Sequence, residues 1–176
     1  MSASRDLLPG APVLVVMGVS GSGKSTLAEA LAQRLDRRLL DADDLHPPAN
    51  RARLAAGVPL TDADRAPWLD AVAAWIEGER AAGNAVVVAC SALKRSYRER
   101  LRRTAPDEVL FVHLDLDHDT LMQRMRARRG HFMPPSQLAD QLATLEPPAA
   151  DERAVVVAPL GPVQDLVGRV LETAGD

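Results

Sequence analysis

The amino-acid sequence predicts an α/β fold in which helices cover both faces of a single parallel sheet. Short apolar runs alternate along the chain with longer stretches whose apolar residues recur at helical spacing. This alternation is typical of a parallel sheet, because a helix has to carry the chain back between neighbouring strands. The length of 176 residues fits one domain, which we predict to extend over residues 1–176.

The order of the predicted elements places the candidate ligand site. The predicted strands are 12–17, 38–41, 85–90, 109–114 and 154–158. The predicted helices are 25–35, 51–56, 66–82, 93–104, 117–128 and 162–174. Parallel sheets of this kind bind ligands at the carboxyl ends of their strands. The segments that directly follow the strands are therefore the first candidates for function: 18–25, 41–46, 91–94, 115–119 and 159–162.

Composition argues against several classes of protein. The net charge is −3, so no overall positive field attracts nucleic acid or an anionic membrane. We find no apolar run long enough to span a bilayer and no secretory signal, and the one cysteine, Cys90, cannot form an internal disulfide. These features predict a cytoplasmic protein. Only Lys24 and Lys94 among the 21 basic residues are lysines, which makes both candidates for positions where arginine cannot substitute.

The segment that follows the first strand matches the phosphate-binding loop pattern G-x-x-x-x-G-K-[ST]. A strand precedes it and a helix follows it, as the pattern requires. Backbone N–H groups at such a helix N-terminus bind phosphate, while Lys24 is expected to reach the β- and γ-phosphates and Ser25 to bind Mg²⁺. The predicted nucleotide-binding residues of this loop are Gly18, Ser20, Gly21, Ser22, Gly23, Lys24, Ser25 and Thr26.

The rest of the sequence favours a small kinase over other nucleotide-binding proteins. The Asn-Lys-x-Asp motif with which GTPases bind guanine is absent. The third strand ends at Cys90 and Ser91 rather than at the aspartate of a large ATPase. The fourth strand is followed by Asp115, which leaves an ATPase-like interpretation open by pattern alone, but the short chain favours a kinase.

Two aspartates follow the second strand. Asp41 and Asp43 lie on the same side of an extended segment, because side chains alternate along it. One carboxylate can help to hold Mg²⁺ while the other orients or deprotonates the acceptor hydroxyl. The alternative is an exposed acidic turn that caps the next helix, and this is the interpretation we favour for Asp44.

The chain resembles the gluconate kinases, a family of P-loop small-molecule kinases related to shikimate kinase. The resemblance extends over most of the chain, and its most specific motifs are H-P-x-x-N, L-T-D-x-D-R-x-P-W-L and S-A-L-K-x-x-Y-R. The matching segments are 17–26, 41–50, 57–69, 90–98, 128–132 and 141–148.

The resemblance implies a nucleoside-monophosphate-kinase-like fold with strand order 2-3-1-4-5. It also implies a substrate-binding helical segment at about 44–82 and a lid at about 124–140. The implied reaction is the transfer of the γ-phosphoryl group of ATP to the 6-hydroxyl of D-gluconate, with Mg²⁺, in a homodimeric enzyme. The rival interpretations are a kinase of another hydroxy acid or polyol, and a nucleotide-binding module without turnover.

The resemblance also suggests roles for residues near the acceptor. Asp43 would bind the 6-hydroxyl as base or positioning group, with Asp41 nearer the metal. His46 would bind a sugar hydroxyl, although it fits equally well as a residue that begins a helix. Arg51 is suited to a carboxylate, unless it is an ordinary exposed arginine.

Two further groups of basic residues are assigned to the substrates. Ser91, Lys94 and Arg98 are predicted to bind gluconate, because a spacing of four places the two cations on one helix face. The lid is expected to contribute Arg124 against adenine, Arg128 to phosphate and catalysis, and His131 to the substrate. The alternative in both places is a solvated basic helix, and Arg126 is left unassigned. Two histidines and two tryptophans are expected to be structural: His113, His118, Trp68 and Trp75.

Overall fold

The fold is described from a computed structural model for Leu8, residues 10–127 and residues 135–175. The strands are β1 (Val13–Met17), β2 (Arg38–Asp41), β3 (Val86–Ala89), β4 (Val109–Leu114) and β5 (Ala154–Val157). The helices are α1 (Lys24–Leu35), α2 (Pro48–Ala55), α3 (Asp62–Ala81), α4 (Arg95–Arg102), α5 (His118–Ala127), α6 (Pro135–Thr144) and α7 (Val163–Gly175). A 3₁₀ turn, Ala42–Leu45, joins β2 to the segment before α2.

The five strands form one parallel sheet in the order β2-β3-β1-β4-β5, which confirms the predicted fold class and strand order. The central strand β1 pairs with both neighbours, so that Val15 lies between Val88 of β3 and Phe111 of β4. Every residue of β1 is buried, as expected for an apolar strand covered on both faces. All strands run in the same direction, which brings the ends of β1, β2 and β3 to one edge of the sheet.

A hydrophobic layer covers each face of the sheet. On one face, α1 and α7 pack against the strands through Leu31 and Val170. On the other face, α3 and α4 pack through Trp68, Ile76 and Leu101. Trp68 is therefore a core residue, as predicted. Together the two layers cover both faces of the sheet and leave the carboxyl edge of the strands open for a ligand.

The structure differs from the sequence prediction at the start of α3. The helix begins at Asp62 rather than at residue 66, because Thr61 and Asp64 form a capping box. The Thr61 hydroxyl accepts a hydrogen bond from the backbone of Asp64 at 3.1 Å, and the Asp64 carboxylate accepts one from the backbone of Thr61 at 2.9 Å. Helix α6 was not predicted, and its side chains contribute to the site described next.

Candidate active site

Two clefts lie on either side of the phosphate-binding loop at the carboxyl edge of the sheet. The Arg124 cleft is lined by Gly21, Ser22, Gly23, Thr26, Leu27, Arg124, Ala127, Pro159, Gly161, Val163 and Leu166. The Asp43 cleft is lined by Ser20, Lys24, Asp43, His46, Arg51, Leu54, Leu60, Arg65, Trp68, Ser91, Leu93, Gln137 and Gln141. The volume of the Asp43 cleft is about 420 Å³, which is sufficient for a small polar metabolite.

The phosphate-binding loop owes its conformation to its first glycine. Gly18 has a φ of 150°, and a Cβ at this position would lie 3.0 Å from the backbone oxygen of Leu114. The Ser22 side chain is buried and donates to the backbone oxygen of Val19 at 2.7 Å. Ser22 can therefore bind a ligand only through its backbone. Lys24 donates to the same Val19 oxygen at 3.1 Å and lines the Asp43 cleft.

Ser25 and Asp41 form a small oxygen-rich site beside the loop. The Ser25 hydroxyl lies 3.5 Å from Oδ2 of Asp41, whose Oδ1 accepts a hydrogen bond from the backbone of Asp43 at 3.0 Å. Hydroxyl and carboxylate oxygens are ligands that Mg²⁺ prefers, and one or two protein ligands are usual when phosphates and water complete the coordination. In the described part of the chain no group of three or more His, Cys, Asp or Glu side chains is placed to hold a metal ion. The residues present therefore fit Mg²⁺ bound together with a nucleotide.

Asp43 is placed to act as a base. Its carboxylate lines the cleft and is accessible to solvent. The surrounding protein nevertheless displaces part of its hydration, and this desolvation, followed by the negative charge of Asp41, raises the pKa of Asp43 above its ordinary value. The ammonium of Lys24 acts in the opposite direction. Asp43 is consequently a stronger base than an exposed aspartate.

His46 lies on the wall of the cleft and is held from several sides. Its ring stacks on Trp68 with a centroid distance of 4.1 Å, and its Nδ1 lies 3.3 Å from the amide nitrogen of Asn50. Nε2 is 3.9 Å from Oδ1 of Asp43. Burial, followed by the positive charges of Arg51 and Arg65, lowers the pKa of His46 to about 4. The imidazole is therefore neutral at neutral pH.

Two arginines line the acceptor side of the cleft, and only one of them was predicted. Arg51 donates through Nε to the backbone oxygen of His46 at 3.1 Å and through Nη2 to that of Asp44 at 2.6 Å. Arg65, which sequence analysis did not single out, donates through Nη1 to the hydroxyl of Tyr97 at 3.0 Å. Arg51 thus stabilises the 3₁₀ turn through hydrogen bonds to its backbone. The guanidinium of Arg65 is partly buried and lies at the surface of the cleft.

The predicted residues after β3 separate into different environments. Ser91 lines the cleft, and its backbone oxygen accepts a hydrogen bond from Gly18 at 3.3 Å. Lys94 does not line the cleft; its ammonium donates to both carboxylate oxygens of Asp62 at 3.0 Å. The contact between Lys94 and substrate stays a prediction.

The prediction that Arg98 binds substrate is wrong. The residue is fully buried, and its guanidinium forms two hydrogen bonds with Glu152 at 2.7 and 2.9 Å. Nη1 also donates to the backbone oxygens of Ala92 at 2.9 Å and Leu93 at 3.2 Å. Ala92 has a φ of 45°, which is unfavourable for a side chain other than glycine. Arg98 therefore stabilises the strained loop behind Ser91, and its own side chain does not line the cleft.

Arg124 lines the cleft on the nucleotide side of the loop, and its predicted contact with adenine stays a prediction. Its side chain donates to the backbone oxygens of Ser22, at 3.4 Å, and Pro159. A planar guanidinium beside this cleft is suited to the face of a purine base. The other two lid residues predicted to function, Arg128 and His131, lie outside the described residues.

Helix α6 contributes two glutamines that sequence analysis missed. Gln141 accepts a hydrogen bond from the backbone of Ser20 at 2.7 Å and donates to the Ser20 hydroxyl at 3.1 Å. Gln137 lines the same cleft. Gln141 belongs to a segment that matched the family, but only its position against the loop identifies it as part of the site.

Fold and site together define a P-loop kinase of small molecules. A family described as "AAA domain" matches residues 13–148. The chain is 53% identical over 146 residues to the gluconokinase of Gluconobacter oxydans, covering 82% of this chain and 81% of that protein. It is 40% identical over 161 residues to the thermoresistant gluconokinase of Escherichia coli, covering 91% of each. The chain belongs to the gluconokinase family.

Solved structures agree with this assignment. A gluconokinase from Sinorhizobium meliloti superimposes with a TM-score of 0.85 at 46% identity, covering 95% of this chain and 92% of that one. Shikimate kinase from Aquifex aeolicus superimposes with a TM-score of 0.60 at 15% identity, covering 92% of this chain and 94% of that one, and shows the shared fold alone. Among the described residues, none of the helices is long and apolar enough to cross a bilayer.

Proposed function

We propose that this chain transfers the γ-phosphoryl group of ATP to the 6-hydroxyl of D-gluconate, giving 6-phospho-D-gluconate and ADP. The observation that carries the proposal is the placement of Asp43 and Lys24 in one cleft beside the phosphate-binding loop. A base and a phosphate-binding cation on the same cleft are what phosphoryl transfer to a hydroxyl requires. The gluconokinases to which the chain is similar support gluconate as the acceptor.

The reaction follows from the two clefts. The nucleotide lies along the loop with its base in the Arg124 cleft, and the acceptor lies in the Asp43 cleft. The acceptor oxygen forms a bond to the γ-phosphorus as the bond from that phosphorus to the β-phosphate oxygen breaks, and Asp43 takes the hydroxyl proton. Lys24 stabilises the negative charge on the transferring group.

Ser25 and Asp41 are the residues that would hold Mg²⁺ with the nucleotide. Bound there, the ion supplies positive charge to the phosphate oxygens. Asp41 also accepts the backbone hydrogen bond of Asp43, so the same carboxylate fixes the turn that carries the base. The role of Arg128 in phosphate binding and catalysis, the contact of His131 with substrate, assembly as a homodimer and a cytoplasmic location remain proposals that rest on the family resemblance.

Arg65 is the cation we assign to the gluconate carboxylate. Among the hydrogen bonds described for this side chain, only Nη1 is used, on Tyr97, so Nε and Nη2 are available to an anion. Arg65→Met is expected to lower kcat/KM for gluconate by about tenfold to a hundredfold, mainly through KM, because a charge-assisted hydrogen bond is lost. Steady-state kinetics with Arg53→Met as the matched control, an exposed arginine that does not line the cleft, measure this effect. An unchanged KM for gluconate would exclude Arg65 as the carboxylate ligand.

A coupled ADP-release assay over a panel of sugar acids and polyols tests the proposed substrate. We expect turnover with gluconate to exceed that with the other acceptors. Turnover with a different hydroxy acid but not with gluconate would replace the substrate and keep the kinase. If ATP binds and no acceptor is phosphorylated, the chain is a nucleotide-binding module.

A further inference from the structure

We propose that Asn50 is a positioning residue that holds the His46 imidazole with its proton on Nε2, so that this N–H faces the acceptor hydroxyl beside Asp43. The inference rests on the proposed phosphoryl transfer in the Asp43 cleft and adds a hydrogen-bond donor to it. It assigns a purpose to a buried asparagine, 5% exposed, that lies behind the cleft wall.

The orientation of the Asn50 amide is determined by its surroundings. Its nitrogen lies 2.9 Å from the backbone oxygen of Asp64. A carbonyl oxygen only accepts hydrogen bonds, so the NH₂ group and not the amide oxygen has to face it. The Asp64 backbone is itself held by the capping box with Thr61 at the start of α3. The capping box therefore determines which way the amide points.

The same nitrogen determines the protonation of His46. Nδ1 of His46 lies 3.3 Å from the same nitrogen, within hydrogen-bonding distance of its second hydrogen. The lone pair of an amide nitrogen is delocalised into its carbonyl group and does not accept hydrogen bonds, so Nδ1 has to be the acceptor and carries no proton. In a neutral imidazole the proton is then on Nε2. The lowered pKa of His46 keeps the ring neutral at the pH of the reaction.

Contacts of the imidazole with Trp68 orient the ring so that the proton on Nε2 faces the cleft. Trp68 stacks on the imidazole with an interplanar angle of 17° and donates through Nε1 to the backbone oxygen of Ala42 at 2.7 Å, so the plane of the ring is held. Nε2 is 3.9 Å from Oδ1 of Asp43, which is too long for a direct hydrogen bond. A substrate hydroxyl bound at this gap would accept from His46 Nε2 while it donates to Asp43. The two side chains thus supply the donor and the acceptor that one hydroxyl needs.

The tautomer is measured directly by long-range ¹H–¹⁵N NMR of the histidine side chains in the unliganded protein. We expect the Nδ1 signal of His46 to be that of an unprotonated nitrogen and the Nε2 signal that of a protonated one. The reverse assignment would overturn the proposal without any variant. The spectrum needs no substrate, so a failure of gluconate as acceptor leaves this result intact.

Asn50→Asp tests the effect on catalysis. A carboxylate at this position can only accept, so it should draw the imidazole proton to Nδ1 and lower kcat/KM by about tenfold, the effect of one hydrogen bond to the acceptor. Asn50→Leu should give a similar loss in kcat/KM without directing the proton to Nδ1. Binding of a non-hydrolysable ATP analogue should be unchanged in both variants.

The control is Val170→Ala, which removes buried volume from α7 on the opposite face of the sheet. It should lower the melting temperature and leave kcat/KM and the His46 spectrum unchanged. Kinetics are run with whichever acceptor of the panel turns over. An Asn50→Asp protein in which Nδ1 is protonated, Nε2 is unprotonated and kcat/KM is undiminished, or an equal loss in Val170→Ala, would overturn the positioning role.

Discussion

Replacement of Asp43 by asparagine is expected to lower kcat by about 10²- to 10⁴-fold, the usual contribution of a positioned proton acceptor. The amide retains the shape of the side chain but cannot take the proton of the acceptor hydroxyl. Affinity for a non-hydrolysable ATP analogue with Mg²⁺ should stay close to that of the wild type. Steady-state kinetics and calorimetric titration of the two proteins measure the two quantities separately.

Asp44→Asn is the matched control, since it removes the same charge from the adjacent, exposed aspartate. Its kcat should remain near that of the wild type. The charge of Asp44 contributes to raising the pKa of Asp43, so this variant should also move the acidic limb of the pH profile to lower pH. If Asp43→Asn mainly weakens binding of the nucleotide with Mg²⁺, Asp43 is the metal-side residue and its assignment with Asp41 is reversed.

Arg98→Met is expected to lower the free energy of unfolding by about 3–5 kcal/mol, the usual effect of removing one partner of a buried ion pair. The Glu152 side chain is only 4% exposed, so the variant leaves its carboxylate buried without the guanidinium. The carbonyl groups of Ala92 and Leu93 lose a donor at the same time. Urea denaturation at neutral pH measures the loss.

The double variant Arg98→Met, Glu152→Gln separates the ion pair from the packing. It should recover a substantial part of the stability, because no buried charge is then left unpaired. Hydrogen bonding to Arg98 lowers the pKa of Glu152, so this stabilisation is present above the ordinary pKa of glutamate and is lost as pH falls through the lowered value. The difference between wild type and Arg98→Met should therefore shrink in acid. A difference that is small at neutral pH would show that the pair contributes little.

Much of the fold could be predicted because its signals are local. The strands are continuous apolar runs, and the loop from Gly18 to Ser25 carries its glycines and lysine within eight residues of sequence. The predicted start of α3 at residue 66 is four residues late, because the capping box at Thr61 precedes Pro67, a residue that is more usual in the first turn of a helix. Helix α6 was not predicted, although its Leu138 and Leu142 are four residues apart, as on one face of a helix.

The errors at the site have a different origin, since they depend on contacts between distant segments. Arg98 lies four residues after Lys94, the N-cap residue of α4, but its side chain turns inward to Glu152, 54 residues later in the chain. Arg65 is near the cleft only because α3 packs beside β2 and β3. Spacing along a helix identifies residues that share a face, but it does not identify the segment of the chain against which that face packs.

The buried pair between Arg98 and Glu152 also bears on where this chain can be cut. The family match ends at residue 148, before Glu152, β5 and α7. A fragment that stopped there would leave Arg98 without its carboxylate, β4 without a neighbour on one side, and the apolar face of α1 without α7. We therefore expect a fragment that ends at residue 148 to be much less stable than a chain that includes β5 and α7.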